Sequence, residues 1–314
     1  MTGKHIVSLG DIVVDLIFPV TLPIVAFQHQ DIAGGKIEPV GACNFMIAAS
    51  RIGMKVSAVG AVGADAFGAT LLETLRAEGI DTSGVDASPG SNSTLVLVLT
   101  DTTKHQHTFV GAYGDGPAAA YTKTVDGIIR SADALLVMGY TLYERRMETL
   151  AVEAINHAKM HGIPVCLDAG PTLHAVTSEK IDWAITKADI ILMTEEEVAG
   201  VSGNRRGDAA FKYLLDQGAK TLVIKQGERG CTVIQRGLRH QVPGFEVPVL
   251  DTVGAGDCFD AAFITAILNG HDPKQAAVMA NAMGAASVQK IGAGRAVPTR
   301  AEVNAILTGT GLSY

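Results

Sequence analysis

The sequence predicts an α/β fold: a central, mostly parallel sheet with helices on both faces, plus a small β-sheet lid. Three observations carry that reading. Short apolar strands alternate with helix-patterned stretches along the 314 residues, the rhythm of β-α-β units. Two β-rich segments, about 12–38 and 93–112, stand outside that rhythm and read as a separate flap. Asp168, Glu197, Gly227 and Asp257 each fall just after the end of a strand-like run, and open parallel sheets bind ligands outside the carboxyl ends of their strands. Hydrophobic residues make up 47% of the chain and charged ones 18%, enough for a large buried core. No linker, low-complexity segment or repeat divides the chain, so 1–314 reads as a single domain.

In order, His5 to Leu9 reads as a short buried strand ending at Gly10-Asp11. Ile12 to Ile17 continues it in extended form. Asp15 within it is a bend, an exposed position, or a group that binds hydroxyls of a polar ligand. Gln28 to Glu38 alternates more weakly around Gly34-Gly35 and completes a small antiparallel flap. Gly41-Ala42-Cys43-Asn44 leads into a helix over 45–52 closed by Gly53. Lys55 to Gly60 is a strand, and Asp65 to Gly68 starts an amphipathic helix with Leu71, Leu72 and Leu75 at helical spacing, stopped by Gly79. Ser93–Thr100 and His105–Val110 read as a hairpin turned by Asp101-Thr102-Thr103-Lys104.

Strands follow at Ala134–Met138, Pro164–Asp168, Asp189–Met193 and Thr221–Lys225, with helices at Met147–His161, just after Thr194, and at Asp208–Gln217. Cys231–Gln235 and Gln241–Val247 form an antiparallel edge. Helices at Pro273–Lys290 and Arg300–Leu307 close the chain.

The stretch that organises the rest is 250–270. Gly254-Ala255-Gly256 is a small-residue turn, and the run from Cys258 to Leu268 is apolar on every side until Asn269-Gly270. A glycine turn opening a buried helix offers free N–H groups and the positive end of the dipole to a phosphate. A carboxylate at that spot, Asp257, either caps the helix or takes a proton from an attacking hydroxyl.

The net charge of −7 with no long basic run excludes a nucleic-acid partner. The apolar stretch 11–27 is broken by Asp15, Pro19 and Pro23 and is too short to span a bilayer. Cys43, Cys166, Cys231 and Cys258 are widely spaced, with no CxxC pair. They read as reduced core cysteines of a cytoplasmic protein, in keeping with the lack of a signal-peptide pattern.

The motifs together resemble the ribokinase-like (PfkB) family of sugar and nucleoside kinases. Asp251-Thr252-Val253-Gly254-Ala255-Gly256-Asp257 is similar to the family's C-terminal signature. Glu38-Pro39-Val40-Gly41-Ala42-Cys43-Asn44 is similar to its N-terminal glycine motif. Gly10-Asp11-x3-Asp15, the element ending in Glu197 and the Gly227-Glu228-Arg229-Gly230 turn follow in the family's order, so the likeness runs from about 6 to about 300.

The resemblance implies a ribokinase-like fold and an ATP- and Mg2+-dependent phosphorylation of a sugar hydroxyl. Asp257 is then the base, and the N–H groups of Gly254, Ala255 and Gly256 the anion hole, matching what phosphoryl transfer requires. Asp15, Gly35, Gly41 and Asn44 are implied as sugar-binding. Thr194, Lys225, Gly227, Glu228, Gly230 and Asn281 are implied around ATP, and Glu197 near Mg2+. Asp251 and Val253 resemble positions that can bind a monovalent cation such as K+. Two departures stand out: Val40 replaces the first glycine of a pair, and Thr194 the Asn of Asn-x-x-Glu.

The alternatives are a nucleoside (adenosine-type) kinase of the same fold, served by Phe18, Phe27, Phe109, Tyr113 and Tyr140, or a non-catalytic sugar- or nucleotide-binding homologue. A Rossmann oxidoreductase is set aside for want of GxGxxG after the first strand. Exposed flap edges invite pairing with a second copy, so a homodimer through the lid is expected.

Overall fold

The computed structural model describes residues 3–101, 107–112, 116–143, 145–170 and 178–314. The turn at 102–104, His105 and Tyr113 lie outside them. The first half of the chain carries β1 (His5–Leu9), β2 (Ile12–Val20), β3 (Lys36–Gly41), α1 (Ala42–Arg51), β4 (Lys55–Gly63), α2 (Ala66–Ala77), β5 (Asp81–Ser88), β6 (Leu95–Asp101), β7 (His107–Ala112), α3 (Lys123–Arg130) and β8 (Ala134–Met138). The second half adds α4 (Tyr140–Tyr143), α5 (Arg145–Met160), β9 (Val165–Asp168), α6 (Ser178–Lys187), β10 (Ile190–Thr194), α7 (Glu195–Val201), α8 (Gly207–Gln217), β11 (Thr221–Lys225), β12 (Cys231–Gln235) and β13 (Leu238–Val242). The helices α9 (Ala255–Leu268), α10 (Pro273–Val288) and α11 (Arg300–Ile306) end it.

Nine strands form the main sheet in the order β13-β12-β11-β10-β9-β8-β1-β4-β5. Every neighbouring pair is parallel except β11–β12 and β12–β13, the antiparallel edge. Alternate residues face two helical layers. Ile6 and Leu136 belong to the core under α1, α9 and α10, whereas Val7, Leu135 and Val137 join the core under α3, α5, α6 and α8. From β1 the chain winds to β4 and β5 on one side, and β8 opens the winding to β9, β10 and β11 on the other. The switch point between β1 and β8 is where such folds open a crevice.

The small sheet has the order β3-β2-β6-β7. β2 pairs antiparallel with β3 and parallel with β6, and β6 pairs antiparallel with β7. Only Gly10 and Asp11 separate β2 from β1, so this sheet stands over the carboxyl ends of the main one. Val13, Val40, Val96 and Val98 on its inner face pack with Ala293 and Val253.

Differences from the sequence reading are local. No strand forms over 28–35, and β3 starts at Lys36. β13 occupies Leu238–Val242 rather than 241–247, which pairs it with β12 through a tight turn. The edge strand β5 and the short helix α3 carry weak signals: β5 is half polar, and α3 has a glycine inside it and rests on the Thr122 cap. All four cysteines are buried and unpaired. Among the described residues no helix is long and apolar enough to cross a membrane.

Candidate active site

Residues 254–257 lie at the N-terminus of α9, buried against α1 and α10 as its all-round apolar sequence requires. Gly254 has φ 75°, and a Cβ there would sit 3.1 Å from the Ala293 side chain and 3.3 Å from Asn44 Nδ2, so only glycine closes this turn without strain. The N–H of Ala255 donates to the Thr252 carbonyl at 3.2 Å. The three N–H groups assigned to an anion hole are therefore not equivalent: Ala255 is committed within the turn. Gly256 and Asp257, in the first helical turn, have no intrahelical acceptor.

Asn44, in the first turn of α1, donates from Nδ2 to Asp257 Oδ2 at 2.9 Å and accepts the Gly294 N–H at Oδ1 at 2.8 Å. Gly41 sets that turn, with φ 64° and a Cβ position only 2.6 Å from the Asp11 carbonyl. The two glycine motifs, far apart in sequence, thus meet through one amide. Burial, then the charge of Asp168, push the Asp257 carboxyl up to about 6, against the lowering pull of Asn44 and Lys225.

Lys225 ends β11 with its ammonium enclosed by carboxylates: 3.0 and 3.1 Å from the Asp260 oxygens and 3.4 Å from Asp168 Oδ2. It also lies 3.6 Å from where a Cβ on Gly256 would be. The ammonium of Lys225, a residue implied around ATP, is thus engaged with the acids of β9 and α9. Burial and the neighbouring Asp168 charge raise the Asp260 carboxyl well above its ordinary range. Burial acts on Asp168 in the same sense, but the Lys225 charge prevails and holds it low. Asp260 was missed from sequence, although a carboxylate inside an all-apolar helix signals a buried cation partner.

Asp15 on β2 is only 6% exposed, and burial pushes it up to about 7. It lines a cavity of about 130 Å3 with Lys36, Phe109, Asp251, Val253 and Gly292. Sugar-binding and cation-binding candidates therefore border one space. Gly34 lines it, whereas Gly35 packs under the Phe18 ring. Asp251 holds the turn together by accepting the Val253 N–H at 3.0 Å and the Gly292 N–H at 2.9 Å. A larger depression of about 360 Å3 lies elsewhere, between α8 and the β12–β13 hairpin.

Thr194 and Glu197 form a reciprocal capping box on α7: Thr194 N–H to Glu197 Oε2 at 2.8 Å, Glu197 N–H to Thr194 Oγ1 at 3.3 Å. Burial and the Asp168 charge raise the Glu197 carboxyl. Glu195, beside it, pairs with Arg229 of the following turn. That turn runs from Gly227 (φ 59°) through the exposed Glu228 to Gly230 (φ 88°), whose Cβ would strike the Val242 carbonyl. The Asn281 amide donates to the Val242 and Pro243 carbonyls at 3.2 and 3.0 Å, so it fixes the chain after β13 rather than pointing to open space.

Comparison with known proteins gives one consistent picture. The pfkB family carbohydrate kinase model matches residues 4–300. A 2-dehydro-3-deoxygluconokinase of Thermoproteus tenax is 28% identical, covering 96% of this chain and 94% of its own length. A ribokinase of Haemophilus influenzae is 29% identical, over 88% and 87%. The crystal structure of an E. coli protein in complex with ATP and Mg2+ superposes with a TM-score of 0.85 at 22% identity, covering 97% of this chain and 99% of that one; at that identity the likeness concerns the fold.

Proposed function

Because the chain belongs to the pfkB family of carbohydrate kinases, we propose that it transfers the γ-phosphoryl group of ATP to a hydroxyl of a small sugar or sugar-like acceptor, with Asp257 as the base. The observation that carries this reading is the Asn44–Asp257 contact at 2.9 Å. It aims a half-buried carboxylate from the N-terminus of α9 while leaving Oδ1 to receive a proton. With its pKa near 6, Asp257 is ionised at neutral pH yet basic enough to accept the hydroxyl proton as attack proceeds. The acceptor oxygen bonds to phosphorus, the bond to the β-phosphate bridging oxygen breaks, and ADP leaves with that electron pair. Negative charge on the transferring group meets the N–H groups of Gly254 and Gly256 and the helix dipole.

Asp15 faces the acceptor from the small sheet, a short acid matched to vicinal hydroxyls. The 227–230 turn receives the nucleotide, its glycines admitting close backbone approach. Glu197 and Asp168 fit a divalent cation near the phosphates: Asp168 is buried and Glu197 half-buried, and the Asp168 charge raises the carboxyls of both Glu197 and Asp257. Mg2+, when bound, would supply charge neutralisation there. Asp251 and Val253 fit a monovalent cation less directly, since both Asp251 oxygens already accept N–H groups. The small sheet acts as a lid that excludes water and as the contact between two copies in a homodimer. Four unpaired cysteines suit a cytoplasmic location.

The test is ADP release with ATP and a panel of ribose, fructose, 2-dehydro-3-deoxygluconate and adenosine, for wild type and Asp257→Asn. One sugar or sugar acid should give acceptor-dependent turnover that the variant loses. Turnover with adenosine alone would move the acceptor to a nucleoside. ATP binding without turnover on any acceptor would return the protein to the binding-only reading.

A further inference from the structure

Away from this site, α3 and the end of α5 bring three ligating side chains together. Asp126, His157 and His161 each present one atom, and those atoms all lie within 4.8 Å of one another. His157 lies in the last turn of α5 and His161 just past its end, its N–H still donating to the His157 carbonyl at 3.0 Å, so the two project from one side. Asp126 Oδ1 is 3.2 Å from His157 Nδ1. Two ligands each about 2.1 Å from one tetrahedral ion stand about 3.4 Å apart, so this pair already has the bite. The pair is not aligned as a hydrogen bond: His157 Nδ1 is buried and has no hydrogen-bond partner among the described residues. A buried nitrogen in that state carries a free-energy cost until something meets it.

The surroundings orient the ligands as outer contacts do around metals. Tyr121 donates its hydroxyl to Asp126 Oδ1 at 2.9 Å, and Arg130 Nε pairs with Asp126 Oδ2 at 2.8 Å. The Tyr121 ring packs on the His157 imidazole with centroids 4.6 Å apart. His161 is exposed, which leaves the approach open to solvent. The structure thus combines two imidazoles, one pre-oriented carboxylate and an unsatisfied buried nitrogen.

We propose that Asp126, His157 and His161 bind a divalent transition-metal ion of the Zn2+ class, bridging α3 to α5. Two imidazole ligands select this class over Mg2+ and Ca2+, which prefer oxygen donors. The site lies where α5 hands over to the start of β9, at the opposite ends of the strands from Asp257. The ion therefore acts on the α3–α5 junction and not on phosphoryl transfer. Arg130 beside Asp126 opposes the added positive charge and keeps the affinity moderate.

The test is equilibrium dialysis of the metal-free full chain against Zn2+, with metal analysis, and thermal unfolding with Zn2+ or EDTA. The comparison variants are His161→Ala, which removes an exposed ligand, and His157→Gln. Wild type should bind one Zn2+ per chain and, near a hundredfold excess over Kd, gain about 4 °C in Tm. Both variants should lose the bound equivalent and the gain, while their Tm in EDTA stays within a degree or so of wild type for His161→Ala. Co2+ should give the visible absorption of a tetrahedral nitrogen–oxygen site in wild type alone. Less than a tenth of an equivalent of Zn2+ in wild type, unchanged binding in His161→Ala, or an equal response to Mg2+ would each overturn the assignment.

Discussion

Asp257 and Asp15 show how burial sets chemistry residue by residue. As the proposed base, Asp257 must be ionised to act, and its folded pKa is raised from 3.8 to about 6. Turnover should therefore be flat above pH 7 and fall about tenfold per pH unit well below 6, which a kcat profile from pH 4.5 to 8.5 checks. The same shift has a cost in stability. A raised carboxyl favours folding only while protonated: that contribution is full below about pH 4 and is lost as pH rises through 6. Asp257→Asn should accordingly lower kcat by about 10²–10⁴-fold with ATP affinity unchanged. It should also raise stability at pH 8 by about 1–2 kcal/mol, a gain that shrinks to nothing near pH 4 in urea titrations. A variant within tenfold of wild-type turnover removes Asp257 as base. Asp15, pushed up to about 7 by burial, should be ionised by hydroxyl donors on sugar binding. The sugar KM should thus rise as pH falls from 8 to 5.5, and Asp15→Asn should raise KM and flatten that dependence.

Among elements, the contact that fixes α9 is the Lys225 ammonium held between Asp168 of β9 and Asp260 of α9. Removing one member strands the others in a buried setting, and broken buried pairs are expensive. Lys225→Met and Asp260→Leu should each destabilise by about 3 kcal/mol. The double variant should recover about 1–3 kcal/mol of the sum, measured as a cycle of urea unfolding free energies. Additive losses would mean that the ion pair does not join the two elements. Asp260 follows Asp257 by three residues, so turnover should fall in both single variants through a shift of α9.

The sequence made the continuous apolar strands legible, with Ala134–Met138, Thr221–Lys225 and Cys231–Gln235 matching β8, β11 and β12 residue for residue. The Lys225–Asp260 contact was not legible because the partners lie 35 residues apart and only packing brings β11 under α9. The Thr194–Glu197 capping box was spelled in its Thr-x-x-Glu spacing. The Asn44–Asp257 contact could be reached only by the family resemblance, since nothing local links residues 213 apart.

On the scale of the whole molecule, the small sheet couples site and surface. Arg295 donates from its backbone and side chain to Glu38 and from Nη2 to the Ile37 carbonyl. This ties β3 to the segment whose N–H groups reach Asp251 from Gly292 and Asn44 from Gly294. The inner face of the sheet carries Asp15. Its register also builds an outer row: Ile37 opposite Leu16, Leu16 opposite Leu97, Leu97 opposite Val110. Ile37 and Val110 at its ends are 49% and 57% exposed, and a flat apolar row of this kind tends to be covered by a partner. A second copy placing the same row against it gives a closed two-fold pair. Light scattering at micromolar concentration should then give twice the 32.7 kDa chain mass. Val110→Glu should yield monomers with a raised sugar KM and unchanged ATP affinity, because only the sheet over Asp15 loses its support. A wild-type protein that scatters as a monomer leaves the outer row without that partner. A monomeric Val110→Glu with wild-type sugar kinetics would instead keep the dimer but separate it from closure over the sugar.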